Sequence, residues 1–433
     1  MADVRIERVT KRFGDFTAVA EMDVTFAEGE VTCLLGPSGC GKTTLMRMVA
    51  GLESVSSGRI LFGGRDVTKL PPRRRDVGMV FQYPVMYPTL SVEENILEPL
   101  RTDRSLDKAE RRRRVDEMLE ILDMKALARH HIDELDAGLR QKVAVGRAVA
   151  RHSDIVLFDE PTTNVEVNAK LQLIRAFKEV TSRLRQTIVY VTHDQTEAMT
   201  LADRIALMKD GRIVQLAAPR TLYDAPSSTF GGWFLGAPGM NFVPAEIDGR
   251  SLRSPVLGEA RLLRDDEATA ADGPASANGA SAGGRDGSAG DDGSIDGRGE
   301  GQGSGQGSGQ GNSPGKGTAG TTASSVLAAG APAANGTFVG IRPEHVRLHS
   351  EPVPGGVAGT LIDRTIGIGG RYLVRVDVGG TRVAAKIASA PTAKAGETCY
   401  LGVPSERLLL FRDGERLPLT VVSRPVSSTE SLS

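Results

Sequence analysis

The chain has 433 residues, 40% hydrophobic and 25% charged, with a formal net charge of −1. These values suit a globular protein of two or three domains and leave no global field to argue for nucleic acid or an anionic bilayer. Cys33, Cys40 and Cys399 lie far from any metal-ligand spacing and cannot all pair within the chain, which fits a reducing, cytosolic setting. No stretch approaches the roughly 20 apolar residues of a membrane span, and Met1-Ala2-Asp3-Val4-Arg5 lacks the pattern of a signal peptide. A membrane role is therefore expected to run through a partner.

In chain order, Val31 to Leu35 reads as a buried strand running into Gly36-Pro37-Ser38-Gly39-Cys40-Gly41-Lys42-Thr43 and a helical pattern from Thr44. Arg73-Arg74-Arg75 and Arg111 to Arg114 read as solvated loop or helix faces. Ser105 to Arg129 carries Val115, Met118, Leu119 and Leu122 at helical spacing and is assigned to a helical subdomain. Ile155 to Phe158 and Ile188 to Val191 are further buried strands, so the first part of the chain is expected to be a mostly parallel sheet flanked by helices. Asn241 to Leu263 is strand-like, and Tyr372 to Val378 and Arg382 to Ile387 alternate between Gly-rich turns, which predicts a small all-β module. Between these parts, Gly, Ala, Ser, Asp and Gln dominate, with a repeated Gly-Gln-Gly-Ser unit from Gly301 to Gly311. Such a segment cannot bury enough surface to offset its chain entropy, and a flexible insertion is expected.

Chemistry concentrates at three strand ends. The glycine-rich segment matches G-x-x-x-x-G-K-[ST] in strand-to-helix context, where backbone N–H groups and a helix N-terminus cradle phosphate. Gly36, Pro37, Ser38, Gly39, Cys40, Gly41, Lys42, Thr43 and Thr44 are the expected nucleotide contacts. Lys42 would reach the β- and γ-phosphates and the Thr43 hydroxyl would ligate Mg²⁺. Ile155 to Phe158 ends in Asp159, placed to hold Mg²⁺ through water, and Glu160, placed to polarise the attacking water as general base. Tyr190-Val191-Thr192-His193-Asp194 ends a third strand, and His193 could donate a hydrogen bond to the γ-phosphate.

This order and spacing resembles the ABC (ATP-binding cassette) ATPase family from residue 3 to about residue 240. The resemblance implies that Phe13 stacks on adenine with Val19 nearby. It also implies that Gln82 senses Mg²⁺ and the γ-phosphate and acts beside the catalytic residues Lys42, Glu160 and His193. The stretch Tyr83 to Ser91 would border a groove for the coupling helix of integral-membrane permease subunits. Gly340-Ile341-Arg342-Pro343-Glu344 looks like the signature of a β-barrel-like regulatory domain on maltose- and glycerol-phosphate-type importers. The expected fold class is thus an α/β P-loop ABC ATPase domain with helical subdomain, residues 1–236. A small all-β, OB-like regulatory domain follows at 237–265 and 337–421, interrupted by a disordered insertion, 266–336, and ending in a flexible tail, 422–433.

The ABC signature departs from the family. Leu-Ser-Gly-Gly-Gln is replaced by Leu135-Asp136-Ala137-Gly138-Leu139, and the D-loop reads Thr163-Asn164-Val165-Glu166, with Glu166 in place of aspartate. In the family the signature crosses a dimer to the partner's γ-phosphate. An ionised Asp136 can cap its helix but cannot donate a hydrogen bond, and it sets negative charge beside a triphosphate. Two ATPase subunits are therefore expected, a heterodimer favoured and a homodimer possible, with an extracytoplasmic solute-binding protein as an indirect partner and no nucleic acid. ATP and Mg²⁺ are the expected cofactors, at the cytoplasmic face of the cell membrane. The alternative is a soluble or regulatory ABC-type ATPase not coupled to transport.

Overall fold

The computed structural model describes residues 2–163, 165–184, 186–264, 335–367 and 369–422. Most of the expected insertion, and the tail beyond Val422, lie outside these residues. Two boundaries move. The sequence places Gly336 in the insertion, but its N–H donates to Asp413 Oδ1 at 3.1 Å. It places Val422 in the tail, but Val422 ends the strand Leu419–Val422.

The N-terminal part opens with β1 (Val4–Phe13), β2 (Phe16–Phe26), β3 (Val31–Leu35), α1 (Lys42–Ala50), β4 (Ser57–Phe62), β5 (Arg65–Asp66) and β6 (Val77–Val80). It continues with α2 (Val92–Arg101), α3 (Lys108–Ile121), α4 (Ala137–Val149), β7 (Ile155–Asp159), α5 (Val167–Leu184), β8 (Thr187–Thr192), α6 (Gln195–Leu201), β9 (Arg204–Lys209) and β10 (Arg212–Ala217). α7 (Pro219–Asp224) and α8 (Thr229–Phe234) close it. Strands β1, β2, β4 and β5 form an antiparallel sheet, and a six-stranded sheet runs β10-β9-β3-β8-β7-β6. From β9 to β6 every pairing is parallel, with antiparallel β10 on the edge.

Alternation along the strands decides what each face buries. Leu34, Leu157, Val189 and Val191 join α1 residues Leu45, Met46, Met48 and Val49 and antiparallel-sheet residues such as Val4, Ile6 and Ile60 in one core. Cys33, Leu35, Val156, Phe158, Ile188 and Tyr190 face the other core, built from α2 to α6. There Phe158, Phe177 and Tyr190 meet with ring centroids 5.4 to 6.0 Å apart. Among the described residues no helix is long and apolar enough to cross a membrane.

The helical pattern at Ser105–Arg129 is shorter in the structure. Asp107 caps α3, accepting from the Glu110 N–H at 2.7 Å, and Asp123 in the left-handed region (φ 53°) breaks the helix soon after Ile121. Arg113 pairs with Glu110 at 2.8 Å on the solvated side of α3, but Arg114, only 15% exposed along its side chain, pairs with it at 2.9 Å and Arg111 is half-buried, so only Arg112 and Arg113 form the expected solvated face. The other basic run also needs correcting. Arg75 is buried (6% exposed), and its guanidinium donates to Met48 O, Val49 O, Leu70 O and Thr68 O at 2.7 to 2.9 Å. It satisfies the last carbonyls of α1, which a helix leaves without internal partners. Only Arg73 and Arg74 are solvated.

The C-terminal part is all β. One sheet joins Asn241–Pro244, Thr337–Ile341, Leu409–Arg412 and Glu415–Leu417, and a second joins Glu246–Asp248, Ser251–Ser254, Gly258–Arg264 and Leu419–Val422. The third, five-stranded, holds Arg347–His349, Thr398–Gly402, Val357–Ile366, Tyr372–Val378 and Thr381–Ile387. Arg342 anchors this part to α7 and α8. Its guanidinium, 2% exposed, donates to Tyr223 O at 2.6 and 3.1 Å, to Gly232 O at 2.9 Å and to Leu235 O, and lies 3.9 Å from the Tyr223 ring centroid. Tyr223 in turn donates its hydroxyl to Glu344 at 2.7 Å. Arg342→Met removes every donor while leaving the three carbonyls buried, so a stability loss of about 3 kcal/mol is expected in denaturant or thermal unfolding.

Candidate functional site

Four neighbouring parallel strands deliver the chemistry to one rim of the sheet, at their carboxyl ends, where open α/β sheets bind ligands. In the order β3-β8-β7-β6, the segments that follow carry Gly36 to Lys42, His193, Asp159-Glu160 and Gln82. The register keeps the ends level: Leu35 pairs with Thr192, Asp159 with Val191 and Val80 with Phe158.

The phosphate loop between β3 and α1 depends on two glycines. A Cβ on Gly36 would lie 2.2 Å from Met208 O, and Gly41 combines φ +100° with a Cβ site 2.5 Å from Ala18 O. With the backbone pressed against β2 and β9, Ser38 and Gly39 form the exposed crest and Pro37, Thr43 and Thr44 are half-buried. Lys42 is 4% exposed and donates to Gly36 O and Pro37 O, both at 2.9 Å. The ammonium thus rests on loop carbonyls where an incoming phosphate can replace them. Cys40 is buried and its thiol is raised by burial. Phe13, at the β1–β2 turn, is 48% exposed, with Lys11 Nζ 4.7 Å from its ring centroid. Val19 is completely buried against Gly41, so it supports the loop rather than offering surface to a ligand.

Asp159 is 6% exposed, and the Thr43 hydroxyl donates to its Oδ1 at 3.3 Å. Burial raises the Asp159 carboxyl above its ordinary range, against the lowering pull of Arg47 and the Thr43 bond. A buried carboxylate and a hydroxyl at the foot of the phosphate loop are an all-oxygen donor set, which fits Mg²⁺ with phosphate and water completing the shell. Among the described residues no group of three or more His, Cys, Asp or Glu is placed to hold a metal ion.

Glu160 follows with φ +45°, unusual outside glycine, and its N–H donates to Val191 O at 3.0 Å. Its Oε2 accepts from the Thr163 hydroxyl at 3.1 Å and lies 3.2 Å from His193 Nδ1. The structure thus pairs the two residues at the adjoining ends of β7 and β8. If Nδ1 donates to Glu160, a ring that also donates from Nε2 has to carry both protons. Gln82, half-buried, follows β6 at the end of the row.

Residues 19–163 match the ABC transporter family, and residues 339–411 match the TOBE domain. An sn-glycerol-3-phosphate import ATP-binding protein of Roseobacter denitrificans is 42% identical over 263 residues, 60% of this chain and 72% of the relative. The chain belongs to the ABC transporter ATP-binding family. An osmoprotective-compound uptake ATP-binding protein of Synechocystis is 44% identical over 246 residues, 57% of this chain and 68% of its own length. A trehalose import ATP-binding protein of Mycobacterium tuberculosis is 42% identical over 263 residues, covering 60% of this chain and 66% of the relative. The chain is accordingly an ABC-type ATPase whose β-rich C-terminal part carries a TOBE domain.

The stretch expected to stand for the signature lies at the start of α4. Asp136 is exposed and caps α4, its Oδ1 accepting from the Leu139 N–H at 2.8 Å. Ala137 is exposed, and Gly138 is buried where a Cβ would lie 3.1 Å from Ala169. Glu166 is exposed at the entry to α5, and Asn164 lies outside the described residues. Sequence reasoning missed Lys170, Thr162 and Glu197, which pack behind Glu160 and His193. The Asp194-to-Glu197 spacing is a visible capping-box signal, but it points to a surface role. The missed feature is that Glu197 turns inward and is completely buried.

Proposed function

We propose that this ABC ATPase is the ATP-hydrolysing, energy-coupling subunit of an importer for sugars, polyols or glycerol-type solutes, bound peripherally at the cytoplasmic face of the cell membrane. The observation that carries the reading is that Lys42, Asp159, Glu160 and His193 stand together on one rim, beside an exposed aromatic stretch. That stretch, after Gln82, presents Tyr83 (71% exposed), Val85 and Tyr87, a surface suited to an apolar helix of a permease subunit. The relatives named for glycerol-3-phosphate, trehalose and osmoprotectants support the solute class without choosing within it.

In this reading Phe13 stacks on adenine and the loop from Gly36 to Thr44 wraps the phosphates. Lys42 leaves its carbonyl partners for the β- and γ-phosphates, and Thr43, Asp159 and Gln82 hold Mg²⁺. When bound, that ion neutralises charge on the phosphoryl oxygens. Glu160 draws a proton from the attacking water, and His193 holds the γ-phosphate side of the pair. Closure of an ATPase dimer excludes bulk solvent.

The dimer is asymmetric in this account. Asp136 puts a carboxylate where a partner's γ-phosphate would arrive, so this chain's half-site works against a normal signature on a second, different ATPase subunit. An extracytoplasmic solute-binding protein would deliver the cargo. The competing reading is a soluble regulatory ATPase. Replacing the chromosomal copy with Glu160→Gln separates the two. Loss of uptake of one solute among glycerol-3-phosphate, trehalose and polyols is expected, and unchanged uptake of all of them would favour the soluble reading.

A further inference from the structure

Behind the Glu160–His193 pair lies a partly buried ionic network centred on Glu197. Glu197, in the first turn of α6, has no exposed surface, and its carboxylate is fully subscribed. Oε1 accepts from the Thr162 hydroxyl and from Lys170 Nζ at 2.7 Å, and Oε2 from Thr192 Oγ1 at 2.8 Å and Tyr190 OH at 3.0 Å. Lys170 also reaches Asp194 Oδ2 at 2.7 Å. Burial pulls the Lys170 ammonium down, yet the bonds from Asp194 and Glu197 outweigh it and the net shift is upward. The partners are not spread at random. Thr192 and Asp194 are the chain neighbours of His193, and Thr162 follows Glu160 by two positions. The Thr192 hydroxyl further accepts from the Asp194 N–H at 2.9 Å, and Asp194 caps α6 through the Thr196 N–H at 2.7 Å.

Lys170 comes from a different direction. It sits on α5, and its N–H donates to Glu166 O at 2.8 Å, which ties the helix to the stretch that stands in for the D-loop. The residue therefore bridges two elements: its backbone N–H holds the Glu166 carbonyl, and its ammonium holds Asp194 directly and Thr192 through Glu197. A lone buried ion pair is a poor source of stability, because desolvation consumes most of its Coulomb attraction. What it does provide is fixed geometry, since each hydrogen bond restricts the rotamer of a residue next to the reacting pair.

We propose that Lys170 and Glu197 are positioning residues for hydrolysis: they hold the Thr192–Asp194 turn so that His193 meets Glu160, and they link that turn to the Val165–Glu166 segment. Neither side chain touches the nucleotide. The inference rests on the reading of Glu160 and His193 as the hydrolytic pair, so those two residues serve as controls.

The test uses the full chain in the Asp136→Ser background, whose turnover is expected to be measurable, with Mg-ATP turnover, ATP affinity by fluorescent-analogue displacement, thermal unfolding, and the ring resonances of isotopically labelled His193, assigned with His193→Ala. Lys170→Met is expected to lower kcat by about 100-fold, the scale of an ångström-level misplacement, with ATP affinity kept within about twofold and the His193 resonances displaced. Lys170→Arg should restore most of the turnover. Because Lys170→Met leaves the buried Glu197 carboxylate with hydroxyl donors but no cation, the double variant Lys170→Met with Glu197→Gln is measured alongside it. Removing both charges should return the unfolding midpoint toward the parent value, while turnover stays low and His193 stays displaced. A stable double variant with parental kcat and unmoved His193 resonances overturns the proposal. So does a kcat loss in Lys170→Met that only follows lost folding and vanishes in the double variant. If instead Glu160→Gln and His193→Ala keep full turnover, the reading of the hydrolytic pair is what fails, and the His193 resonances still decide whether Lys170 orders that turn.

Discussion

Glu160→Gln is expected to lower ATP turnover roughly a thousandfold while leaving ATP affinity within a few-fold of the parent, measured as kcat and as equilibrium nucleotide binding. The substitution is nearly isosteric. The introduced amide oxygen can still accept from Thr163, and the left-handed backbone at this position and its bond to Val191 O are untouched. What disappears is the carboxylate that takes a proton from water, and with it the charged partner 3.2 Å from His193 Nδ1. Because the phosphate loop is built from other strands, binding and chemistry should separate. A variant that lost affinity and turnover together would instead point to a structural role for Glu160.

Lys42→Ala is expected to act on both quantities. In the structure its ammonium is held by Gly36 O and Pro37 O at 2.9 Å, so it is preorganised at the loop and exchanges two neutral acceptors for charged phosphate oxygens when ATP binds. A charge-assisted hydrogen bond is worth about 1.5–3 kcal/mol, which corresponds to roughly a 10- to 100-fold loss of ATP affinity. Turnover at saturating ATP should fall by a further factor of about 100, because the same ammonium opposes charge that grows on the γ-phosphoryl oxygens. Isothermal titration and kcat at several ATP concentrations separate the two effects. Thermal unfolding should move little, since Gly36 and Pro37 belong to a loop that water can reach once the lysine stem is gone.

Much of this was legible in the sequence, for physical reasons that differ by element. β3, β7 and β8 are buried on both faces, so each reads as a near-continuous apolar run, and the expected Val31–Leu35 matches β3 in full. The phosphate loop is legible because its glycines answer close backbone approaches, to Met208 and Ala18, that no other residue could meet. Asp136 was legible as a helix cap because Ncap chemistry is local. What was not legible depends on tertiary placement. Arg75 looks like the third member of a basic run until the fold lays it across the end of α1. Glu197 looks like an N-terminal capping glutamate until α6 turns it under Thr162 and Tyr190. The inward path of Arg342 was likewise invisible within a motif that was itself easy to find.

The proposed function gives this chain one catalytic half-site and a signature, at Asp136, that serves its partner poorly. The most direct measurement is Mg-ATP turnover of the isolated full chain across a range of protein concentrations, for the parent and for Asp136→Ser. Serine keeps the helix cap, donates a hydrogen bond and removes the negative charge, so the substitution changes the trans contact with little effect on α4. The account predicts slow turnover by the parent at every concentration, and a clear rise that grows with concentration in Asp136→Ser. Vigorous, cooperative ATP hydrolysis by the unmodified chain alone would contradict it.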